Sequence, residues 1–309
     1  MTSRVASAPL VRSLRRPALR RPRFGVHAFL IVCSILWLAP LVWTIYTSLR
    51  PYSDTAERGY VSLPGTINLG NYTTAWTEAD LPHYYLNTLL VTIPAVVITL
   101  FFAACIAFVV SRLSFRFNVA LLIFFMAANL LPQQIILTPL YRMYLEIPLP
   151  TFLSENGKMY DSLLGLIAIH VAFQTGFCTF VLSNYMKTIP SSLSDAARVD
   201  GAGVARQFFG ITLPLCRPAL AALATLEFTF IYNDFLWAIV LIQSGDKRPI
   251  VPALANLEGV FFTDNNLIAA GAMLAALPTL IVFALLQRHF ISGLTLGATK
   301  GWAASASTA

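Results

Sequence analysis

Charge is scarce in this chain. Only 11% of its 309 residues are Asp, Glu, Lys or Arg, whereas 57% are hydrophobic. A soluble domain carries roughly 25% charged residues, so a water-exposed globule is excluded. Cysteine is also sparse. Cys33, Cys105, Cys178 and Cys216 form no C-x-x-C pair and three of them lie inside apolar runs, which argues against a disulfide framework or a zinc site. The four histidines (His27, His83, His170 and His289) are scattered without ligand spacing. His170 reads as a hydrogen-bonded helix-packing residue. There is no G-x-x-x-x-G-K-[ST] phosphate loop, no H-E-x-x-H and no serine elbow, so neither nucleotide hydrolysis nor intramembrane proteolysis has a motif here.

What is present is apolar length. A helix needs about 20 residues to cross a hydrocarbon core of about 30 Å, and six runs qualify: 27–49, 84–111, 118–141, 162–186, 218–242 and 267–288. The third is irregular, because Pro132, Gln133, Gln134 and Pro139 follow its apolar start. It is expected as a kinked or broken helix facing protein or a cavity. No repeat of fixed period is visible. The expected class is an all-α, multi-pass protein of the cell (inner) membrane.

Charge placement gives direction. Seven Lys and Arg lie in the N-terminal tail, two in the 112–117 loop, four in the 187–217 loop and two at the C-terminal end, making fifteen on one side. The other three loops hold six, together with ten of the 14 acids. The positive-inside rule then puts both termini in the cytoplasm. The net charge of +7 is thereby assigned to membrane lipid rather than nucleic acid. Residues 1–26 read as a basic, disordered cytoplasmic tail. A cleaved signal peptide is disfavoured by the length of the following apolar run and the lack of an A-x-A site.

One polar interruption stands out on the cytoplasmic side: SDAARVDGAGVARQFFGITLP, Ser194 to Pro214. Pro190 ends the fourth run, and Ser191 or Ser192 is expected to cap a short helix with Asp195 in its first turn. Ala196 and Ala197 give that helix a small surface, and Gly201 and Gly203 suit a turn that needs positive φ. A second short helix, around Val204 to Thr212, leads into Leu213 and Pro214. Two short helices with small residues make either a docking knob or a loop packed on the membrane surface.

The spacing of Asp195, Ala196, Ala197, Gly201, Ile211, Leu213 and Pro214 resembles the EAA loop of binding-protein-dependent ABC importers, with Asp where that family usually has Glu. NDFLW (233–237), SRLSFR (111–116), PLY (139–141) and the ending LPTLIVFALLQRHFISGLTLGATKG (277–301) resemble the sugar-importing branch, specifically its maltose-type second permease. The likeness covers the chain from about residue 27. It implies a type I importer permease with six transmembrane helices over 27–301, a coupling loop at 187–217 that includes Asp200, and a C-terminal tail at 302–309. It further implies a second permease subunit as heterodimer partner, two ATPase subunits carrying ATP and Mg, an extracytoplasmic solute-binding protein, and a sugar or polyol as cargo. The chain itself is expected to hold no cofactor and no metal.

Polar side chains within the apolar runs are candidates for the substrate pathway. Glu227 and Asp234 fall on one face at helical spacing with positions 230, 231 and 238. Groups of this kind line a path, brace a partner, or carry protons. Gln133, Tyr232, Asn233 and Trp237, with Gln134, offer the amides and rings that suit sugar hydroxyls and faces. The alternative is an ion-coupled secondary transporter with Glu227 and Asp234 as its ion sites. It leaves the 187–217 loop unexplained and lacks a visible inverted repeat.

Overall fold

The computed structural model describes residues 24–113, 117–257 and 263–298, the side chains of 128, 256 and 288–298 excepted. The tail at 1–23 and the stretch 299–309 lie outside them. The chain divides into a unit of residues 1–44 and a unit from Ile45 onward.

In the first unit the described residues form most of α1 (Phe24–Ser48), with Pro40 inside the helix. Thr44 Oγ1 donates to the Pro40 carbonyl at 2.9 Å. Leu30, Ile31, Trp37, Leu38 and Leu41 are all exposed. A helix that is apolar on every side is built for lipid or for protein neighbours.

The second unit continues through α2 (Tyr52–Arg58), α3 (Gly70–Thr77), α4 (Leu81–Arg112), α5 (Asn118–Leu130), α6 (Gln133–Glu146), α7 (Leu163–Thr188), α8 (Ser191–Val199), α9 (Val204–Gln207), α10 (Leu213–Leu215), α11 (Arg217–Tyr232), α12 (Leu236–Leu241), α13 (Ile250–Ala253) and α14 (Asn265–Ala298). A π-turn, Phe208–Thr212, joins α9 to α10. No strand occurs among the described residues.

Among the described residues, four helices are long and apolar enough to span a membrane: α1, α4, α7 and the Asn265–Gln287 part of α14. A fifth span exists if Val204–Leu215 and Arg217–Tyr232, bent by 71°, are taken together. The third apolar run is two helices rather than one. Pro132 cannot donate a backbone hydrogen bond and disfavours helix at Leu131, so α5 stops at Leu130 and α6 restarts at Gln133. The fifth run, expected to be continuous over 218–242, is broken as well: α11 ends at Tyr232 and α12 begins at Leu236.

The core sits where α4 packs on α7 and α11. Ala95, Ala103, Ala104, Ala107, Cys178 and Leu182 are almost wholly buried there. Between apolar solvents the hydrophobic effect is weak, and helices associate through close packing, which small residues permit. Gly176 shows the same device where α7 meets α5. A Cβ at that position would lie 2.9 Å from Asn129 Nδ2 and 3.2 Å from the Phe125 carbonyl, so the two backbones approach only because the side chain is missing.

A polar clamp organises the segment after α1. Arg50 is fully buried. Its Nε donates to Asp54 Oδ2 at 2.7 Å, its Nη1 to the carbonyls of Gly59 and Tyr60, and its Nη2 to Ser62 Oγ at 3.0 Å. From the start of α14, Asn266 Nδ2 donates to the carbonyls of Thr47 (3.0 Å) and Arg50 (2.9 Å). Its Oδ1 accepts from Thr55 Oγ1 at 3.0 Å. The guanidinium thus spends its donors on a loop that has no regular structure of its own.

Candidate functional site

The polar interruption folds into a closed knob. Helix α8 ends in a Schellman turn: Gly201 N–H donates to the Arg198 carbonyl at 3.0 Å and Ala202 N–H to the Ala197 carbonyl at 2.8 Å, with Gly201 at φ 76°. These two bonds satisfy carbonyls that a helix C-terminus leaves open, and the positive φ is what glycine supplies there. Gln207 is buried and its Nε2 donates to the Ala202 carbonyl at 2.8 Å, tying α9 to the turn. The π-turn then drives Phe208 into the main core, 5.2 Å from the Phe108 ring. At the other end, Arg112 Nη2 donates to the carbonyls of Met186 (2.8 Å) and Ile189 (3.1 Å), capping α7 where the loop departs.

The knob therefore has a fixed base and a free surface. Ala197 and Ser194 face inward, while Leu193, Ala196, Val199 and Val204 are exposed, Val199 at 88%. Asp195 and Asp200 are exposed, and Ile211, Leu213 and Pro214 are half-buried at the return to α11. Two local expectations are corrected. No side chain caps α8, whose N-cap is Pro190, and its first turn holds no acid. The helix starts at Ser191, so Asp195 falls in the second turn and pairs instead with Arg198 at 3.5 Å. Gly203 is likewise not part of the C-terminal turn; with φ −66° it is the N-cap of α9. Sequence reasoning missed Gln207, Arg112 and Phe208. Of these, only the arginine at the end of an apolar run carried a local signal.

The fifth run supplies a second feature. Asp234 sits in the break, where its Oδ1 accepts from the Trp237 N–H (3.3 Å) and its Oδ2 from the Ala238 N–H (3.0 Å), the open donors of α12. His170 Nε2 lies 3.6 Å from Asp234 Oδ2. Phe173, one turn along α7, packs on Trp237 at 5.5 Å between centroids. The helical face proposed to unite Glu227 with Asp234 stops at Tyr232. Glu227 is fully buried and its Oε1 accepts from Cys178 Sγ at 3.1 Å, with Oε2 unpartnered.

The six pathway candidates are not gathered into one place. Tyr232 and Trp237 are buried with Glu227, and the Tyr232 hydroxyl donates to the Ala275 carbonyl at 3.0 Å. These three act within the helix packing in this conformation. Asn233 is exposed, and its Nδ2 donates back to the Thr229 carbonyl. Gln133 and Gln134 open α6, half-buried and exposed respectively, and neither carboxamide has a hydrogen-bond partner among the described residues. No cluster of His, Cys, Asp or Glu suited to a metal occurs among the described residues.

On the opposite side from the knob, the loop after α6 meets the loop after α12. Asp161, at φ 57°, accepts from the N–H groups of Gln243 (2.8 Å) and Ser244 (2.9 Å) and from Ser244 Oγ. Lys247 Nζ lies 2.6 Å from Glu155 and 3.9 Å from Asp161. The Glu155 hydrogen bond raises the Lys247 pKa, burial opposes it, and the acids around it add to the rise. A cavity of about 260 Å³ opens here, beside Phe152, which is 84% exposed.

Residues 79–295 match the model of the binding-protein-dependent transport system inner membrane component, which covers more than half of the chain, including the knob, the break at Asp234 and the Asp161–Lys247 cavity. The chain belongs to that family. Relatives of this inner-membrane permease include a "Probable ABC transporter permease protein" of Pyrococcus horikoshii, 32% identical over 84% of this chain and 92% of the relative. The diacetylchitobiose uptake permease of Streptomyces coelicolor is 28% identical over 88% of this chain and 87% of its own. The melibiose/raffinose/stachyose import permease of Bacillus subtilis is 29% identical over 89% and 95%. Among solved structures, a bacterial ABC transporter involved in alginate import matches with a TM-score of 0.71 at 22% identity, over 86% of this permease and 96% of that chain. That likeness gives the permease an ABC importer fold.

Proposed function

We propose that this permease forms half of the translocation pathway for a sugar or related polyol, and that a separate ATPase drives it by seating on the 187–217 loop. The observation that carries this reading is the knob itself: a Schellman-closed helix with Leu193, Ala196 and Val199 exposed on a base fixed by Arg112, Gln207 and Phe208. Exposed apolar side chains on a rigid, small-surfaced helix suit insertion into a partner's groove. A fixed base lets force on the knob reach α7 and α11 instead of dissipating in a loose loop.

The rest of the assembly follows from that division of labour. The pathway's other half is a second permease subunit, the two ATPase subunits hold ATP and Mg, and a solute-binding protein delivers cargo from outside. Six membrane crossings with cytoplasmic termini agree with the charge distribution if the α5–α6 and α11–α12 pairs are each a broken span. The exposed Phe152 and the Asp161–Lys247 cavity lie on the face opposite the knob and suit the binding protein. Gln133, Gln134 and Asn233 are the accessible polar groups for sugar hydroxyls. The family match favours this reading over the ion-coupled alternative, and Asp234 and Glu227 have separate partners, the backbone of α12 and Cys178.

The test is site-directed. Ala196→Cys should crosslink to the ATPase subunit in the assembled complex, and Asn68→Cys should react with an impermeant reagent added from outside the cell, whereas Gly203→Cys should not. Outside labelling at 203 with protection at 68 would overturn the orientation. Absence of any crosslink from 196 in a complex that still transports would overturn the coupling role.

A further inference from the structure

The helices α5 and α7 touch closely at Gly176, against Phe125 and Asn129, and leave an open groove beside that contact. The space they leave is a cavity of about 370 Å³. Its α5 wall is an apolar stripe from Val119 to Leu130, and its α7 wall is Phe180, Asn184 and Lys187. Positions 180, 184 and 187 fall on one face of α7, so the aromatic ring, the amide and the ammonium follow one another along the groove. Val119, Ile123 and Leu130 are strongly exposed, so the groove is open along its length.

Length and charge identify an occupant. Eleven helical steps from Val119 to Leu130 span about 16 Å at 1.5 Å each, close to one leaflet's half of a hydrocarbon core of about 30 Å. The apolar stripe is therefore as long as an acyl chain within one leaflet. At the groove's loop end stand Lys187 and Asn184, both exposed, and no acidic side chain lines the space. Lys187 has no ion-pair partner among the described residues. An ammonium and an amide donor beside an apolar slot match a phosphate headgroup with its chain attached.

We propose that this groove is a binding site for an anionic glycerophospholipid of the leaflet on the side of the 187–217 loop, its phosphate on Lys187 and Asn184 and one acyl chain along α5 between Val119 and Leu130. The site lies at the end of α7 from which the loop departs, so an occupied groove would brace the broken third run against α7.

The experiment uses the full chain in its co-expressed complex, held in nanodiscs of phosphatidylcholine. The discs carry a minor fraction of photoactivatable phosphatidylglycerol or, in the parallel arm, photoactivatable phosphatidylcholine, and adducts are mapped by mass spectrometry. Adducts on residues 119–130 are expected to favour phosphatidylglycerol by about fivefold, the preference that one lysine gives a net-anionic headgroup over a zwitterionic one at about 1 kcal/mol. Lys187→Gln should bring phosphatidylglycerol down to the phosphatidylcholine level, and Lys187→Arg should keep the preference. Ala127→Trp, which fills the slot, should abolish both adducts. Equal labelling by the two lipids in the unaltered chain would overturn the proposal, as would a preference that survives Lys187→Gln. So would an α5 photo-crosslinker, placed at Ile123, that captures another polypeptide instead of lipid.

Discussion

Asp234 and His170 meet at 3.6 Å across the point where the fifth apolar run loses its helix. The break contains neither proline nor glycine. It persists because the Asp234 carboxylate takes over the two backbone donors of Trp237 and Ala238 that a continuous helix would have paired with carbonyls. His170, from the middle of α7, faces the same oxygen that accepts from Ala238. One side chain thus caps the start of α12 and faces a ring of the neighbouring helix α7.

The first prediction concerns that residue. Asp234→Ala removes the cap and the facing partner of His170 together. Loss of a cap costs about 0.5–2 kcal/mol, so we expect a lower thermal midpoint in detergent and a marked loss of uptake with membrane insertion intact. Asp234→Asn keeps one oxygen for the cap and should lie between the two. Equal stability and uptake for all three chains would show that the break does not depend on this side chain.

The Arg50 clamp yields a pH prediction. Burial raises the Asp54 pKa, but the Arg50 hydrogen bond, the Gly65 N–H and the charges of Arg50 and Arg58 outweigh it, so the group is held below 3.8. A depressed carboxyl contributes stability above its unfolded value, and that contribution disappears as pH falls through the folded value. The segment 51–65 should therefore resist protease at neutral pH and loosen only below about pH 4. Asp54→Asn should be loosened at every pH, without that acid step. Arg50→Ala should be worse, since it removes the donors to Asp54, Gly59, Tyr60 and Ser62 together.

A third prediction separates two acids around Lys247. Glu155 is 83% exposed at its side chain, and exposed pairs contribute about 0–1 kcal/mol, so Glu155→Gln should barely change thermal stability. Asp161 accepts from both backbone N–H groups at 243–244 while holding φ 57°. Asp161→Ala should lower the melting midpoint clearly, because it strands those donors and places a residue poorly suited to positive φ; Asp161→Asn, which tolerates that backbone, should recover part of the loss. The raised Lys247 pKa adds stability that is lost only as pH climbs above about 10.5, so none of these differences should vary between neutral and mildly alkaline pH.

These features differ in how far the sequence disclosed them. Apolar length located α4 and α7, and Pro132 located the break before α6, because each signal is local. Gly201 was legible for the same reason: a glycine after a short helix suits the left-handed turn. The α8 cap was misplaced because Ser191 and Ser192 look like caps in isolation, while Pro190, with its fixed φ, already takes that position. The break at 233–235 was hidden, since its signal is one side chain whose partners follow it by three and four residues inside an apolar run. The Arg50 clamp was out of reach, because Asn266 closes it from more than 200 residues away.

The last prediction returns to Gly201, where backbone shape and side-chain bulk can be separated. Beyond its chain neighbours, nothing among the described residues lies within 4 Å of a Cβ built there, so against them a substitution meets only the cost of φ 76°. For a β-branched residue that strain is on the order of 1–3 kcal/mol, and Gly201→Val should open the Schellman turn. Asn accepts the left-handed region readily, so Gly201→Asn should keep the turn while adding bulk at the knob's tip. If the ATPase groove closes on this turn, both variants should lose binding-protein-stimulated ATP hydrolysis in the reconstituted complex, with the helices still inserted. If only the turn's shape matters, Gly201→Asn should work normally and Gly201→Val should not. Asp195→Glu, which restores the residue usual in the family's loop, should be mild in either case, because Asp195 is exposed and its one ion pair, with Arg198, is a surface contact. Full stimulated turnover and full ATPase recovery in a Gly201→Val complex would remove the knob from the coupling path.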